Sequence, residues 1–145
     1  MSIFISVASY RDKELTKTLK SCIDNARNPE ALRFGILSQE EKNKHPKLDF
    51  VKNKNYEQMH MKFAKGAGYA RKICMDMYDG EDYFLQIDSH MRFAKNWDVR
   101  MITMLKQAQE IAGNDKIILS QFPAPYQMWT NGKEYYPEKD PIFWS

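Results

Sequence analysis

The sequence predicts an α/β protein with a mostly parallel sheet flanked by helices, and three observations carry that expectation. A nearly continuous β-prone run from Ile3 to Ala8 lies at the start, as expected of a strand covered on both faces. An apolar stripe at helical spacing and a second β-prone run, Leu32 to Ser38, complete a strand-helix-strand unit, for which a right-handed crossover is the rule. A later strand of aromatic and aliphatic residues, Tyr83 to Ile87, delivers Asp88 to its carboxyl end, the edge where open α/β sheets bind ligands.

The 145 residues predict one domain spanning 1–145, since a chain of this size buries one sizeable core and is short for two. With 43% hydrophobic and 28% charged residues it falls in the globular range. The net charge of +3 arises from 22 basic and 19 acidic residues interleaved along the chain, so no single-sign field forms and no nucleic-acid partner is expected. The run from Ile3 to Ala8, broken by Ser6 and followed by Tyr10-Arg11-Asp12, reads as a strand and not a signal peptide. No apolar stretch approaches the roughly 20 residues that span a bilayer, so no membrane is expected. Cys22 and Cys74 fall on helical faces beside Leu19, Ile23, Ile73 and Met77, which predicts buried reduced thiols and cytoplasmic or similarly reducing surroundings.

The elements follow in order. Asp12 is placed to cap a first helix carrying Glu14 in its first turn, with Leu15, Leu19, Cys22, Ile23 and Ala26 as its apolar stripe, and Asn28-Pro29 stops it. After the second strand, the polar stretch Gln39 to Lys47 around Pro46 reads as a solvated loop, and Leu48 to Val51 as a short third strand. Residues Lys54 to Lys65 show no clear pattern. Gly66-Ala67-Gly68 then opens a second helix, with Ala70, Ile73, Cys74 and Met77 in phase, running to about Tyr78. Asn96 or its neighbour caps a third helix whose expected buried side is Trp97, Met101, Leu105, Ala108 and Ile111, ending near Gly113. Lys116 to Leu119 reads as a further buried strand, and Asn131-Gly132 as a turn in an aromatic terminal region.

Four features bear on chemistry. Asp88-Ser89-His90 ends a strand, and extended residues two apart point alike, so the carboxylate and imidazole can share a metal. A hard oxygen with a borderline nitrogen suits Mn²⁺ better than Ca²⁺, with Mg²⁺ also compatible; the alternative is that Asp88 caps a turn and His90 is a surface or core histidine. Ser9-Tyr10-Arg11-Asp12 follows the first strand and suits a nucleotide, Tyr10 facing a base, Arg11 a phosphate and Asp12 ribose hydroxyls, or else serves helix capping. Gly66 to Arg71 offers free amides and a cation to an anion, or is a plain helix start. The aromatics Tyr126, Trp129, Tyr135, Tyr136, Phe143 and Trp144 read as core packing or as an acceptor site. His45 and His60 are given no role.

Taken together, Ile5 to Asp12, Gly66 to Arg71, Gly80 to Phe93 with its Gln86-Ile87-Asp88-Ser89-His90 run, and Trp97-Asp98 resemble the N-acetylglucosaminyltransferase family that modifies hydroxyproline on a ubiquitin-ligase adaptor. The resemblance covers nearly the whole chain. It implies a GT-A type fold, UDP-GlcNAc or a related sugar nucleotide as donor, a divalent cation (Mn²⁺ or Mg²⁺), and transfer with retention to a protein or glycan hydroxyl. Asp88 and His90 resemble the metal-binding pair, Ser9, Tyr10, Arg11 and Asp12 the uridine-side segment, and Arg71 a donor-contacting arginine. Family domains generally continue further, so the resemblance also implies C-terminal truncation. Two functions follow as expectations: a metal-dependent glycosyltransferase, or a truncated sugar-nucleotide-binding domain that works only as a homo-oligomer or with a complementing chain. Nucleotidyl transfer is disfavoured because the first loop lacks an extended Gly-rich phosphate cradle.

Overall fold

Strand β1, Ile3–Tyr10, is followed by helix α1, Leu15–Asn25, strand β2, Leu32–Glu40, strand β3, Lys54–His60, helix α2, Ala67–Met75, and strand β4, Tyr83–Ile87. Beyond them lie β5, Arg92–Phe93, helix α3, Trp97–Ala112, and the short strands β6, Gln127–Met128, β7, Glu134–Tyr135, and β8, Phe143–Trp144. This computed structural model describes residues 1–128, 133–136 and 141–144. The chain divides into two compact units, the first formed by residues 1–20 and 28–90 and the second by 21–27 and 91–145.

The first unit is built on a four-stranded parallel sheet of order β3-β2-β1-β4. Its strands are apolar where predicted: Ile5 and Val7 of β1 and Ile36 and Leu37 of β2 are fully buried, each contributing about 1.5–3 kcal/mol on leaving water. Successive residues point to opposite faces, so Ala8 and Leu37, paired in register, lie on one face with Met59, where Ala70, Ile73 and Cys74 of α2 pack against them. The α/β class with a parallel sheet flanked by helices is therefore the observed one.

On the α2 face Gly35 admits a close approach. A β-carbon there would sit 2.4 Å from Cζ of Phe4 and 2.9 Å from the carbonyl oxygen of Cys74. Phe4 is itself locked against Tyr78 and Phe84, with ring centroids 5.6 and 5.5 Å away. Gly35→Ala is therefore expected to destabilise the protein by about 1–3 kcal/mol through overpacking, read as a lower urea midpoint at unchanged slope.

The expected third strand lies elsewhere. Leu48 and Val51 are buried, but from a turn closed by the Val51 amide on the Leu48 carbonyl at 3.0 Å. The strand is β3, whose polar sequence Lys-Asn-Tyr-Glu-Gln-Met-His reflects an edge position with one neighbour, where apolar alternation is not required. Helix α2 ends at Met75, a little short of Tyr78. Both cysteines are buried and free, and burial raises their thiol pKa values, that of Cys74 to about 11.

In the second unit, α3 has Asn96 and Gly113 at its ends, both in the left-handed region, and Asn96 makes no side-chain cap. Its buried face is shorter than expected. Trp97, Asp98 and Ile102 are buried, whereas Ile111 is 87% exposed, so the apolar stripe has no cover at its carboxyl end. Trp97 packs against Phe93 and Phe143, with centroids 4.9 and 6.2 Å away, and its indole N–H donates to the Cys22 carbonyl at 2.8 Å. Residues Lys116 to Leu119 form no strand, and Ile118 is 91% exposed; a β-prone run without a pairing partner has nowhere to place its amides except water. Phe143 packs in this unit's core, Tyr126 and Tyr136 pair at 6.1 Å, and Tyr136 and Trp144 at 4.8 Å. Arg92 joins this group, pairing with Glu134 at 2.6 Å under the Tyr126 ring. Trp129 and the expected Asn131-Gly132 turn lie outside the described residues.

Candidate functional site

The parallel sheet brings the ends of its strands to one edge. The strand order places the switch of direction between β1 and β4, and ligand crevices in open α/β sheets form at such points. Here a cavity of about 550 Å³ opens, lined by Ala8 and Tyr10 of β1, Asp12 beyond it, Gln39 of β2, Met61 and Ala64 after β3, Gly66, Ala67, Ala70 and Arg71 at and in α2, and Asp88, Ser89 and His90 after β4.

Asp12 joins the two loops. One carboxylate oxygen accepts from the Glu14 amide at 2.9 Å, which starts the turn into α1. The other accepts from Ser89 Oγ at 2.6 Å and meets His90 Nδ1 at 2.9 Å. Burial acts to raise the Asp12 pKa, but the hydrogen bonds from Ser89, the Glu14 amide and His90 outweigh it, and the net shift is downward. Thr18 adds a second tie, donating to the Ser89 carbonyl at 2.7 Å. The Asp88-Ser89-His90 loop is thus held from the start of α1.

Arg71 reaches across the cavity to Asp88 at 3.0 Å. The side chains of Asp88 and His90 remain about half exposed, at 50% and 52%. The amino end of α2 also faces this cavity through Gly66 and Ala67. Gly66 takes a positive φ of 93° and provides no side-chain cap, so the first-turn amides, which have no acceptor within a helix, are left for a ligand or solvent.

Of the seven site residues expected from sequence, Tyr10, Asp12, Arg71, Asp88 and His90 line this one cavity. Ser9 and Arg11 do not. They line a neighbouring cavity of about 350 Å³ with Lys13, Thr16, Glu40, Glu41 and Lys44, and Asp12 borders both. Alternation explains the split, because Ser9 points to the opposite face of β1 from Tyr10. Arg11 has a φ of 51°, in the left-handed region, which turns the chain sharply between the two cavities. Asp88 and His90 line the same cavity, Asp88 paired with Arg71 at 3.0 Å and His90 Nδ1 meeting Asp12 at 2.9 Å. Among the described residues no group of three His, Cys, Asp or Glu side chains forms a ligand shell.

The family description "Glycosyltransferase (GlcNAc)" matches residues 2–58 and 50–143, which takes in both halves of this cavity. The chain belongs to this glycosyltransferase family. Comparison with curated proteins and with solved structures gives no match. A sugar transferase binds a donor and an acceptor, and in this glycosyltransferase a cavity of about 550 Å³ opens at the carboxyl edge of the sheet. No helix among the described residues is long and apolar enough to cross a membrane.

Sequence reasoning missed Ala8, Gln39, Met61 and Ala64 as walls of the glycosyltransferase's cavity, whereas Ala67 and Ala70 fall within the Gly66 to Arg71 segment it singled out. For Gln39 a signal existed: it stands two residues after the buried Leu37 and so shares its face. Met61 and Ala64 follow a strand that the hydrophobic pattern does not show.

Proposed function

We propose that this glycosyltransferase transfers GlcNAc from UDP-GlcNAc to a protein or glycan hydroxyl, with retention at the anomeric carbon and on a GT-A type scaffold. The observation that carries the reading is the convergence of Tyr10, Asp12, Arg71, Asp88 and His90 on one cavity at the carboxyl edge of the sheet. Tyr10 offers a ring face to the base. Arg71 and the first amides of α2 bind the diphosphate, whose oxygens compete with Asp88 for the guanidinium. Asp88 and His90 would hold the divalent ion through one carboxylate and one imidazole. When bound, that ion supplies neutralisation of the negative charge on the departing diphosphate. Asp12 fixes the His90 ring and the Ser89 side chain, and so the loop that carries both candidate ligands.

The test is isothermal titration of UDP-GlcNAc with and without Mn²⁺, on the wild type and on the Asp88→Ala, His90→Ala double variant, alongside UDP release. Binding that strengthens with Mn²⁺ only in the wild type is expected. Metal-independent binding in both proteins would reject the metal assignment, and absence of binding in the wild type would reject the donor site.

A second reading, a sugar-nucleotide-binding domain that depends on a partner chain or another copy, is favoured by Ile111, Ile118 and Phe122 of the second unit, each at least 87% exposed. A monomer by light scattering that turns over donor would exclude it.

A further inference from the structure

Gln39 is 3% exposed, and its Oε1 is buried with no hydrogen-bond partner among the described residues. Such an acceptor costs free energy unless something satisfies it, and Gln39 forms part of the donor cavity's wall. Its Nε2 donates to the Ser9 carbonyl over a long 3.4 Å, using one of its two N–H groups. The backbone position is fixed by the Arg11 amide, which donates to the Gln39 carbonyl at 3.1 Å. In register Gln39 stands between Tyr10 of β1 and Met59 of β3, two residues beyond Leu37 and so on the same face as the apolar cluster of Leu37, Ala70 and Cys74. That cluster offers the amide no alternative partner. The apolar part of the cavity lining is Ala8, Met61, Ala64, Ala67 and Ala70, and its charged or titratable groups are Asp12 after β1, Arg71 of α2, and Asp88 and His90 after β4.

We infer that Gln39 reads the nucleobase, its Oε1 accepting the imide N–H of a uracil ring. A flat base suits the apolar wall and a diphosphate the charged residues. The terminal amide torsion of glutamine is broad, so a small rotation presents Oε1 to the ligand while Nε2 keeps a donor for an adjacent ring carbonyl. Gln39 would be a specificity-determining residue that the donor-site reading does not itself require, although the inference rests on that reading.

The experiment is titration of the full chain, in Mn²⁺, with UDP, N3-methyl-UDP and 2′-deoxy-UDP, on the wild type, Gln39→Leu and Gln39→Met, with thermal melts of each. Removing a buried partner of this kind is expected to weaken UDP binding roughly tenfold or more in both variants, at a melting temperature equal to or above that of the wild type. N3-methylation is expected to weaken wild-type binding by a similar factor and to cost the folded variants little. An equal methylation loss in wild type and variants would overturn the inference, since it would then be steric. A 2′-deoxy loss confined to the wild type would move the contact to the ribose and overturn it too. Should both variants fail to fold, undiminished wild-type binding of N3-methyl-UDP still overturns it. No UDP binding by the wild type would instead reject the donor site beneath it.

Discussion

Replacing Asp12 by alanine is expected to lower glycosyl transfer roughly 10- to 100-fold, the range seen when a carboxylate that orients ligand-bearing side chains is removed. Asp12 is the one side chain that receives the Glu14 amide, the Ser89 hydroxyl and the His90 ring together. Its loss leaves the turn into α1 without its side-chain acceptor and the loop after β4 held from α1 by Thr18 alone, and should also destabilise the fold by about 1–2 kcal/mol. Asp12→Asn separates the roles: its amide oxygen can still cap the Glu14 amide, so stability is largely kept while activity falls. The pH dependence follows from the lowered pKa of Asp12. A carboxyl held more acidic in the folded chain than in the unfolded one contributes stability that is fully present above the unfolded value of about 4 and is lost as pH falls through the folded value. Urea unfolding from pH 6 downward should therefore show an acid loss that is smaller in Asp12→Asn. An Asp12→Ala variant with wild-type turnover would remove Asp12 from the site.

Trp97→Ala should have the largest effect on stability, about 3–5 kcal/mol, the usual range for truncating a buried aromatic. Trp97 is fully buried in the second unit, packed on Phe93 and Phe143, and its indole N–H satisfies the Cys22 carbonyl. Trp97→Phe keeps most of the ring contact and orphans the carbonyl alone, for about 1–3 kcal/mol. Denaturant unfolding followed by circular dichroism measures both, and a loss below about 1 kcal/mol for the alanine variant would show that the unit's core lies elsewhere.

The Asp88-Ser89-His90 loop was legible because it follows β4, whose bounds Tyr83–Ile87 match the β-prone run. Tyr10 and Asp12 were legible for the same reason at β1, and five of the seven expected residues meet in one cavity. The edge strand β3 was not legible. Its residues alternate weakly because only one neighbour covers it, and the signal was taken instead by Leu48 and Val51, which enter the core from a turn. Lys116 to Leu119 misled for the converse reason, being β-prone by composition with no strand paired to it among the described residues.

The sequence by itself determined the class of fold, the order of β1, α1, β2, α2 and β4, and the delivery of Asp12 and Asp88 to strand ends, because apolar periodicity and chain breaks are local properties. Membership of the glycosyltransferase family also resides in the sequence. Only the tertiary structure decided that Asp12 holds Ser89 and His90, that Arg71 meets Asp88, and that Ser9 and Arg11 turn into a different cavity from Tyr10. These are pairings between residues up to 78 positions apart, set by sheet order and register. The same is true of Gln39, which became a candidate reader of the base only when parallel pairing put it between Tyr10 and Met59, with a buried acceptor that has no partner among the described residues.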